Sequence, residues 1–177
     1  QIRTVAATRF GNAGLFLERF LPEARHVEVQ VFGDGLGGVI VLGDRDCSLQ
    51  RRNQKVVEEC PAPNIPADVR ELLHQSSKDL ASSVKYQSAG TVEFLYDPLS
   101  KRPYFLEVNT RLQVEHGVTE QVYGIDLVEW MIRLTQGTLP PVGELEEATR
   151  QNGHSIQVRL YAEDPYKDFL PSPGEIR

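Results

Sequence analysis

Polar and apolar residues alternate from Arg25 to Phe32, with His26, Glu28 and Gln30 on one side and Val27, Val29 and Val31 on the other. Successive side chains of an extended chain point to opposite faces, so this stretch predicts a strand. Gly33-Asp34-Gly35-Leu36-Gly37-Gly38 follows, and then the apolar run Val39 to Leu42. The glycine segment lacks the Lys-Ser/Thr ending of a phosphate loop and leads into a strand, which predicts a hairpin turn. Leu15 to Phe20 predicts a short strand plus linker ending at Pro22, and the charge-dense stretch Gly43 to Cys60 predicts a solvated strand or loop. Pro66 opens a helix predicted to run to Lys85, with Val69, Leu72, Leu73, Leu80 and Val84 on its buried side and His74 at the surface or boundary. Ala89 to Tyr96 and Tyr104 to Val108 predict two strands joined by a hairpin through Asp97-Pro98-Leu99-Ser100-Lys101-Arg102. Thr119 or Asp126 can cap a further helix, whose apolar stripe is Leu127, Trp130, Met131 and Leu134 and whose stop is Gly137. Pro140 to Gln151 reads as a polar connector. Ser155 to Tyr161 reads as another alternating strand, with Ile156, Val158 and Leu160 inward and Arg159 on the other face.

One alternating stretch carries unusual chemistry. From Glu107 to Glu115 the odd positions are Glu107, Asn109, Arg111, Gln113 and Glu115, and the even ones are Val108, Thr110, Leu112 and Val114. An amphipathic surface strand would favour Thr and Lys at its polar positions. Two carboxylates, two amides and one guanidinium in a row match a site for a metal and an anion. If the preceding hairpin centres near Leu99 and Ser100, Glu93 falls opposite or nearly opposite Glu107 on the same face. Like charges directly across a ladder are destabilising, by roughly 3 kcal/mol at about 5 Å and an effective dielectric near 20. A divalent cation with oxygen ligands, magnesium above all, would relieve that repulsion. So would a Lys or Arg between the two carboxylates, or a different register.

Length and composition set the outer bounds. The 177 residues suit one domain or parts of two, and the formal net charge of -6 argues against broad binding to nucleic acid or an anionic membrane. No apolar run approaches the length of a membrane span, and no signal-peptide pattern opens the chain. Cys47 and Cys60 have neither metal-ligand spacing nor the density of a disulfide scaffold, which points to a reducing, cytoplasmic setting. The chain begins without Met on what reads as the end of a helix, Gln1 to Ala7, and stops after Pro171-Ser172-Pro173-Gly174; it is expected to be a piece of something longer.

Five motifs occur in order: Arg25 to Val31, Arg45 to Glu59, Ala89-Gly90-Thr91-Val92-Glu93-Phe94, Glu107 to His116, and Leu170 to Gly174. Together, and over essentially the whole chain, they resemble the biotin carboxylase component of biotin-dependent carboxylases, members of the ATP-grasp superfamily. Asn53, Leu106-Glu107-Val108-Asn109 and Leu127-Val128-Glu129-Trp130-Met131 are most similar to urea carboxylase, the first half of urea amidolyase. The resemblance implies an α+β fold, an antiparallel sheet flanked by helices, with residues 1–17 ending the lid domain and 18–177 forming much of the C-terminal region. It implies that Glu18 and Leu21 receive the adenine edge and that His26, Gln50 and Asn53 lie near the nucleotide, Asn53 standing where many relatives carry His. It further implies that Glu93, Glu107 and Asn109 hold Mg2+ (or Mn2+) against the ATP phosphates. Lys55, Arg111, Gln113 and Val114 would bind bicarbonate, Glu115 would be the general base, and Arg159 would stabilise the oxyanion of biotin. The family's glycine-rich lid and two upstream lysines would precede residue 1. Met131 is followed by Ile132, unlike a biotinylation motif, so biotin would ride on a separate carrier domain, with a carboxyltransferase domain beyond it. Relatives often dimerise through this part of the fold. The alternatives are the biotin carboxylase part of an acyl-CoA or pyruvate carboxylase, or a non-catalytic folding or dimerisation module.

Overall fold

The computed structural model describes residues 1–175. Its centre is a six-stranded antiparallel sheet in the order β5-β4-β1-β2-β3-β6. The strands are β1 (Arg25–Asp34), β2 (Val39–Arg51), β3 (Gln54–Cys60), β4 (Gln87–Asp97), β5 (Arg102–Asn109) and β6 (Ser155–Val158). A two-stranded ribbon, β7 (Glu163–Asp164) with β8 (Leu170–Pro171), follows. Helix α1 (Ile2–Phe10) has no buried residue.

The two faces of the sheet bury different things. On one face Val27, Val29, Val31, Val39, Val92, Phe94 and Tyr96 pack against Val69, Leu73 and Ala81 of α2 (Ala67–Ser83). The helix touches the sheet through Val69, Leu73, Ser77 and Ala81, a spacing of four, and the small residues Ser77 and Ala81 let it lie close. Leu72, Leu80 and Val84, expected inward, are exposed. On the other face Phe32, Ile40, Leu42 and Ala89 pack with Leu127 and Trp130 of α4 (Leu127–Gln136) and Val142 and Leu145 of α5 (Val142–Ala148). Phe32 and Trp130 meet edge to face, their ring centres 5.5 Å apart. Helix α3 (His116–Tyr123) packs on β2, β3 and β6 at the same face.

A bulge decides which side chains reach that second face. Val29 pairs with Asp44 but Val31 pairs with Val41, so β2 carries one extra residue there. Gly43 absorbs it at φ +71°, and a Cβ at that position would lie 2.6 Å from the Tyr123 hydroxyl. One extra residue reverses the parity of everything beyond it. Val39 and Val41 face α2, but after the bulge Asp44 does, and Arg45 turns to the opposite face with Glu28.

Several expectations are corrected. Leu15 to Phe20 forms no strand: it is exposed irregular chain, with no neighbouring strand to satisfy its backbone. The charged stretch 43–60 is not solvated; it forms most of β2 and β3, and Asp44, Arg45 and Glu58 within it are buried. Residues 140–151 are not a plain connector but contain α5, anchored by Val142 and Leu145. Asp126 caps α4 by accepting from the Glu129 amide at 2.8 Å and Gly137 ends it in the left-handed region, whereas Thr119 lies inside α3. In and after β6, Ile156, Val158 and Leu160 face solvent rather than the core.

Candidate active site

Pairing registers draw one row of charges across four strands. Arg45 of β2 stands opposite Glu28 of β1, Glu28 opposite Glu93 of β4, and Glu93 opposite Glu107 of β5. The predicted hairpin is observed, and a one-residue bulge between Glu93 and Phe94 brings Glu93 directly opposite Glu107. What neutralises Glu93 is Lys55: its ammonium donates to Glu28 Oε2 at 2.6 Å, Glu93 Oε1 at 2.8 Å and Glu115 Oε1 at 2.6 Å. Glu107 is exposed, and among the described residues its one hydrogen-bond partner is the Asn109 amide at 3.4 Å. Repulsion between Glu93 and Glu107 thus does not by itself demand a metal, because an internal lysine already answers it.

The stretch after β5 is not one extended strand. Residues 110–115 form a bend and turn leading into α3. Glu107, Asn109, Arg111, Gln113 and Glu115 nevertheless all line a single open cavity of about 610 Å³, together with His26, Gln50, Asn53, Lys55, Glu93, Val114 and Arg159. The turn tucks Gln113 and Glu115 inward while Val114 points out and Leu112 joins the α4 core. Gln54, Leu106 and Tyr161 also line the cavity; the first two lie inside the quoted motifs, and none had been assigned a place in the site. Glu18 and Leu21 do not line it; they lie on the irregular segment before β1.

Beneath the cavity floor the charges form a connected network. The Arg45 guanidinium is fully buried and donates to Glu28 Oε1 at 2.6 Å, Gln30 Oε1 at 2.7 Å and Thr119 Oγ1 at 2.8 Å. It also reaches Thr91 Oγ1 at 3.3 Å and Gln113 Oε1 at 3.4 Å. Arg159 donates to Glu115 Oε2 at 2.8 Å, and its Nε lies 2.7 Å from Glu58 Oε1 as an ion-pair contact. Glu28, Arg45, Glu58 and Thr119 are members that sequence reasoning missed. Glu28 had a signal, since it shares a strand face with His26 and Gln30.

The network sets the charge states. Burial would raise the Glu93 carboxyl, but His26, Lys55 and Gln113 together hold it well below the ordinary carboxylate range. Burial would likewise raise Glu115, but the Lys55 hydrogen bond and charge outweigh it and keep the group ionised. Burial would lower Lys55; the Glu28 charge and its hydrogen bonds to Glu115 and Glu28 instead push it above the usual lysine range. Burial pushes Glu58 up despite Arg159, and pushes the Cys47 thiol up as well.

Oxygen donors suited to a hard cation are present. Glu107 is open to the cavity, Glu93 stands opposite it, and the Asn109 amide lies alongside. Ligand atoms of His26, Glu28 and Glu93 also converge within 4.8 Å of one another. Beside the carboxylates, Arg111 is exposed at the cavity and, among the described residues, makes long hydrogen bonds to Leu112 O at 3.3 Å and Asn109 Oδ1 at 3.5 Å. A metal-bound polyphosphate and a small anion can therefore meet across this opening.

Known proteins resemble this chain over most of its length. Residues 1–141 match the family described as carbamoyl-phosphate synthase L chain, ATP binding domain. The chain is 58% identical to urea amidolyase of Saccharomyces cerevisiae over 94% of its own length and 9% of that protein's. It matches the crystal structure of a biotin carboxylase–β,γ-ATP complex from Campylobacter jejuni at 47% identity and a TM-score of 0.86, covering 98% of this chain and 38% of that one. It also matches the biotin carboxylase domain dimer of Hydrogenobacter thermophilus 2-oxoglutarate carboxylase in complex with MgADP, ADP and bicarbonate, at 44% identity and a TM-score of 0.83, covering 96% of this chain and 37% of that one. The chain thus spans well under half the length of these relatives. With its antiparallel sheet flanked by helices, it belongs to the carbamoyl-phosphate synthase L chain ATP-binding domain family, and its similarity there is to the biotin carboxylases.

Proposed function

We propose that these residues work within a longer ATP-dependent biotin carboxylase, a ligase that activates bicarbonate as carboxyphosphate and carboxylates biotin. The observation that carries this reading is the single cavity in which a row of carboxylates meets Lys55, Arg111 and Arg159. Residues 1–17 would close a lid domain, and 18–177 would belong to the C-terminal region. Identity to a urea amidolyase favours urea as the eventual carboxyl acceptor. The biotinyl carrier and carboxyltransferase would be separate domains, and a homodimer would follow the Hydrogenobacter domain. The two free, buried cysteines suit a reducing cytoplasmic setting, and no described helix is long and apolar enough to cross a membrane. The isolated chain would bind nucleotide weakly and turn nothing over.

Glu93, Glu107 and Asn109 would hold magnesium, which when bound offsets the charge of the ATP phosphates. Glu18, Leu21, His26, Gln50 and Asn53 would line the nucleotide's path, the first two from the segment before β1. Arg111, Gln113 and Val114 would hold bicarbonate, joined by Lys55 once one of its three carboxylates lets go, since all three ammonium protons are engaged. Glu115, ionised across the neutral range, would accept the bicarbonate proton as the freed oxygen attacks the γ-phosphorus, giving carboxyphosphate and ADP. Carboxyphosphate then breaks down to carbon dioxide and phosphate, and carbon dioxide is passed to biotin. Arg159 would steady the negative oxygen of the biotin ureido ring as it becomes nucleophilic.

The test is Glu115→Gln in the longer protein that carries this chain. Bicarbonate-dependent ATP hydrolysis should fall roughly 10²–10⁴-fold, the usual weight of a general base, with magnesium–ATP binding retained. Unchanged hydrolysis would remove Glu115 from the chemistry.

A further inference from the structure

We propose that Arg45 is a positioning residue: one guanidinium outside the cavity that sets the geometry of the groups handling the anion. This rests on the reading of the site just given. Arg45 does not line the cavity and is wholly buried. Burying an ion pair is weak support for stability, because well-packed apolar residues often do as well. Its value lies in what the rigid fork fixes.

Three constraints meet in the one side chain. Nε takes Glu28 Oε1 at 2.6 Å, which turns Glu28 Oε2 toward Lys55, also at 2.6 Å. A second nitrogen reaches the amide oxygen of Gln113, so the Gln113 NH2 is the end presented to Glu93, at 3.0 Å. The third constraint is Thr119, one turn along α3 from Glu115, bonded at 2.8 Å. Glu115 in turn grips Lys55 and Arg159. Lys55, Gln113 and Glu115 are the three groups assigned to bicarbonate and its proton, and each is tied to Arg45 directly or through one neighbour. Of the groups placed at the nucleotide and its metal, Gln50, Asn53, Glu107 and Asn109 have no bond to it, and Glu93 and His26 reach it only through Gln113 and Glu28. Lysine at this position would keep the charge but lose the fork, since an ammonium is a point donor.

The measurement is Arg45→Lys in the longer protein, assayed for ATP hydrolysis with bicarbonate and ATP varied separately, alongside circular dichroism. Misplacing reacting groups by about 1 Å can cost on the order of 10²-fold, so kcat/KM for bicarbonate should fall roughly ten- to a hundredfold while KM for ATP changes by much less. Equal losses for both substrates, or none, would overturn the proposal. If Arg45→Lys does not fold, Thr119→Val removes one acceptor at nearly equal volume; it should raise the bicarbonate KM selectively and by less, and wild-type kinetics in that variant would overturn the proposal. A wild-type protein with no bicarbonate-dependent hydrolysis would instead sink the functional reading. Positioning is then read from the Gln113 side-chain amide resonances, which must shift and exchange faster in the variant; unshifted resonances would overturn it.

Discussion

Asp44 and Arg45 are neighbours in sequence, both buried, and face opposite sides of the sheet. Asp44 accepts from the Ala62 amide, from Arg70 Nε and from His74 Nε2, each at 2.8 Å. That cluster ties β2 to α2 and to the loop after β3, and its carboxylate is matched by partners that reach solvent. The Arg45 network spans β1, β2, β3, β4 and α3 and opens on a cavity. Burial of a charge is thus common to a structural tie and to a site. What separates them is a surplus of carboxylates, connected across several elements and facing an opening.

The sharpest way to break this contrast is Lys55→Met. It would leave Glu28, Glu93 and Glu115 facing one another without their shared cation, and removing one partner of a buried ion pair costs about 3–5 kcal/mol. Urea unfolding should show that loss, and ATP hydrolysis in the longer protein should vanish with it. Retained stability would mean that the three carboxylates do not depend on the lysine. Asp44→Asn probes the other face. It should cost about 1–3 kcal/mol as Arg70 and His74 lose a charged acceptor, yet leave bicarbonate-dependent hydrolysis intact below the melting temperature. Lost activity in a folded Asp44→Asn protein would erase the distinction between the two faces.

The smallest signal is in pH. Glu93, Glu115 and Asp44 are all held below their ordinary values. Between those values and the unfolded ones the unfolded chain binds more protons, so stability falls as pH falls. The contribution is whole above about pH 5 and is lost on acidification, at up to about 1.4 kcal/mol per pH unit for each group. Glu58, raised by burial, works in the opposite sense. Acid titration of Glu93→Gln, followed by fluorescence, should show a shallower slope than wild type; an identical slope would contradict the role given to Glu93.

Local signals were legible in the sequence where they were self-contained. The β1 alternation, the Gly33–Gly38 turn, the β4–β5 hairpin with its Glu93–Glu107 register, and α4 between Asp126 and Gly137 each rest on residues close in sequence. Helix α5 is seven residues long and gains its place from Val142 and Leu145 packing beyond its own span. The buried charges of 43–60 looked solvated because their partners, Glu28, Arg70, His74 and Thr119, are distant in sequence. The polar residues of 107–115 were found for a reason that holds only in part: alternation carries as far as Asn109, and a turn then delivers Arg111, Gln113 and Glu115 to the same opening.

Lys55 has one consequence for the ligand-free molecule. Glu28, Glu58, Glu93 and Glu115 supply four negative groups against the three positive groups Lys55, Arg45 and Arg159, and every Lys55 proton is engaged. An anion arriving from the surrounding salt therefore finds no idle ammonium at that floor and meets Arg111 as the loosely held cation at the opening.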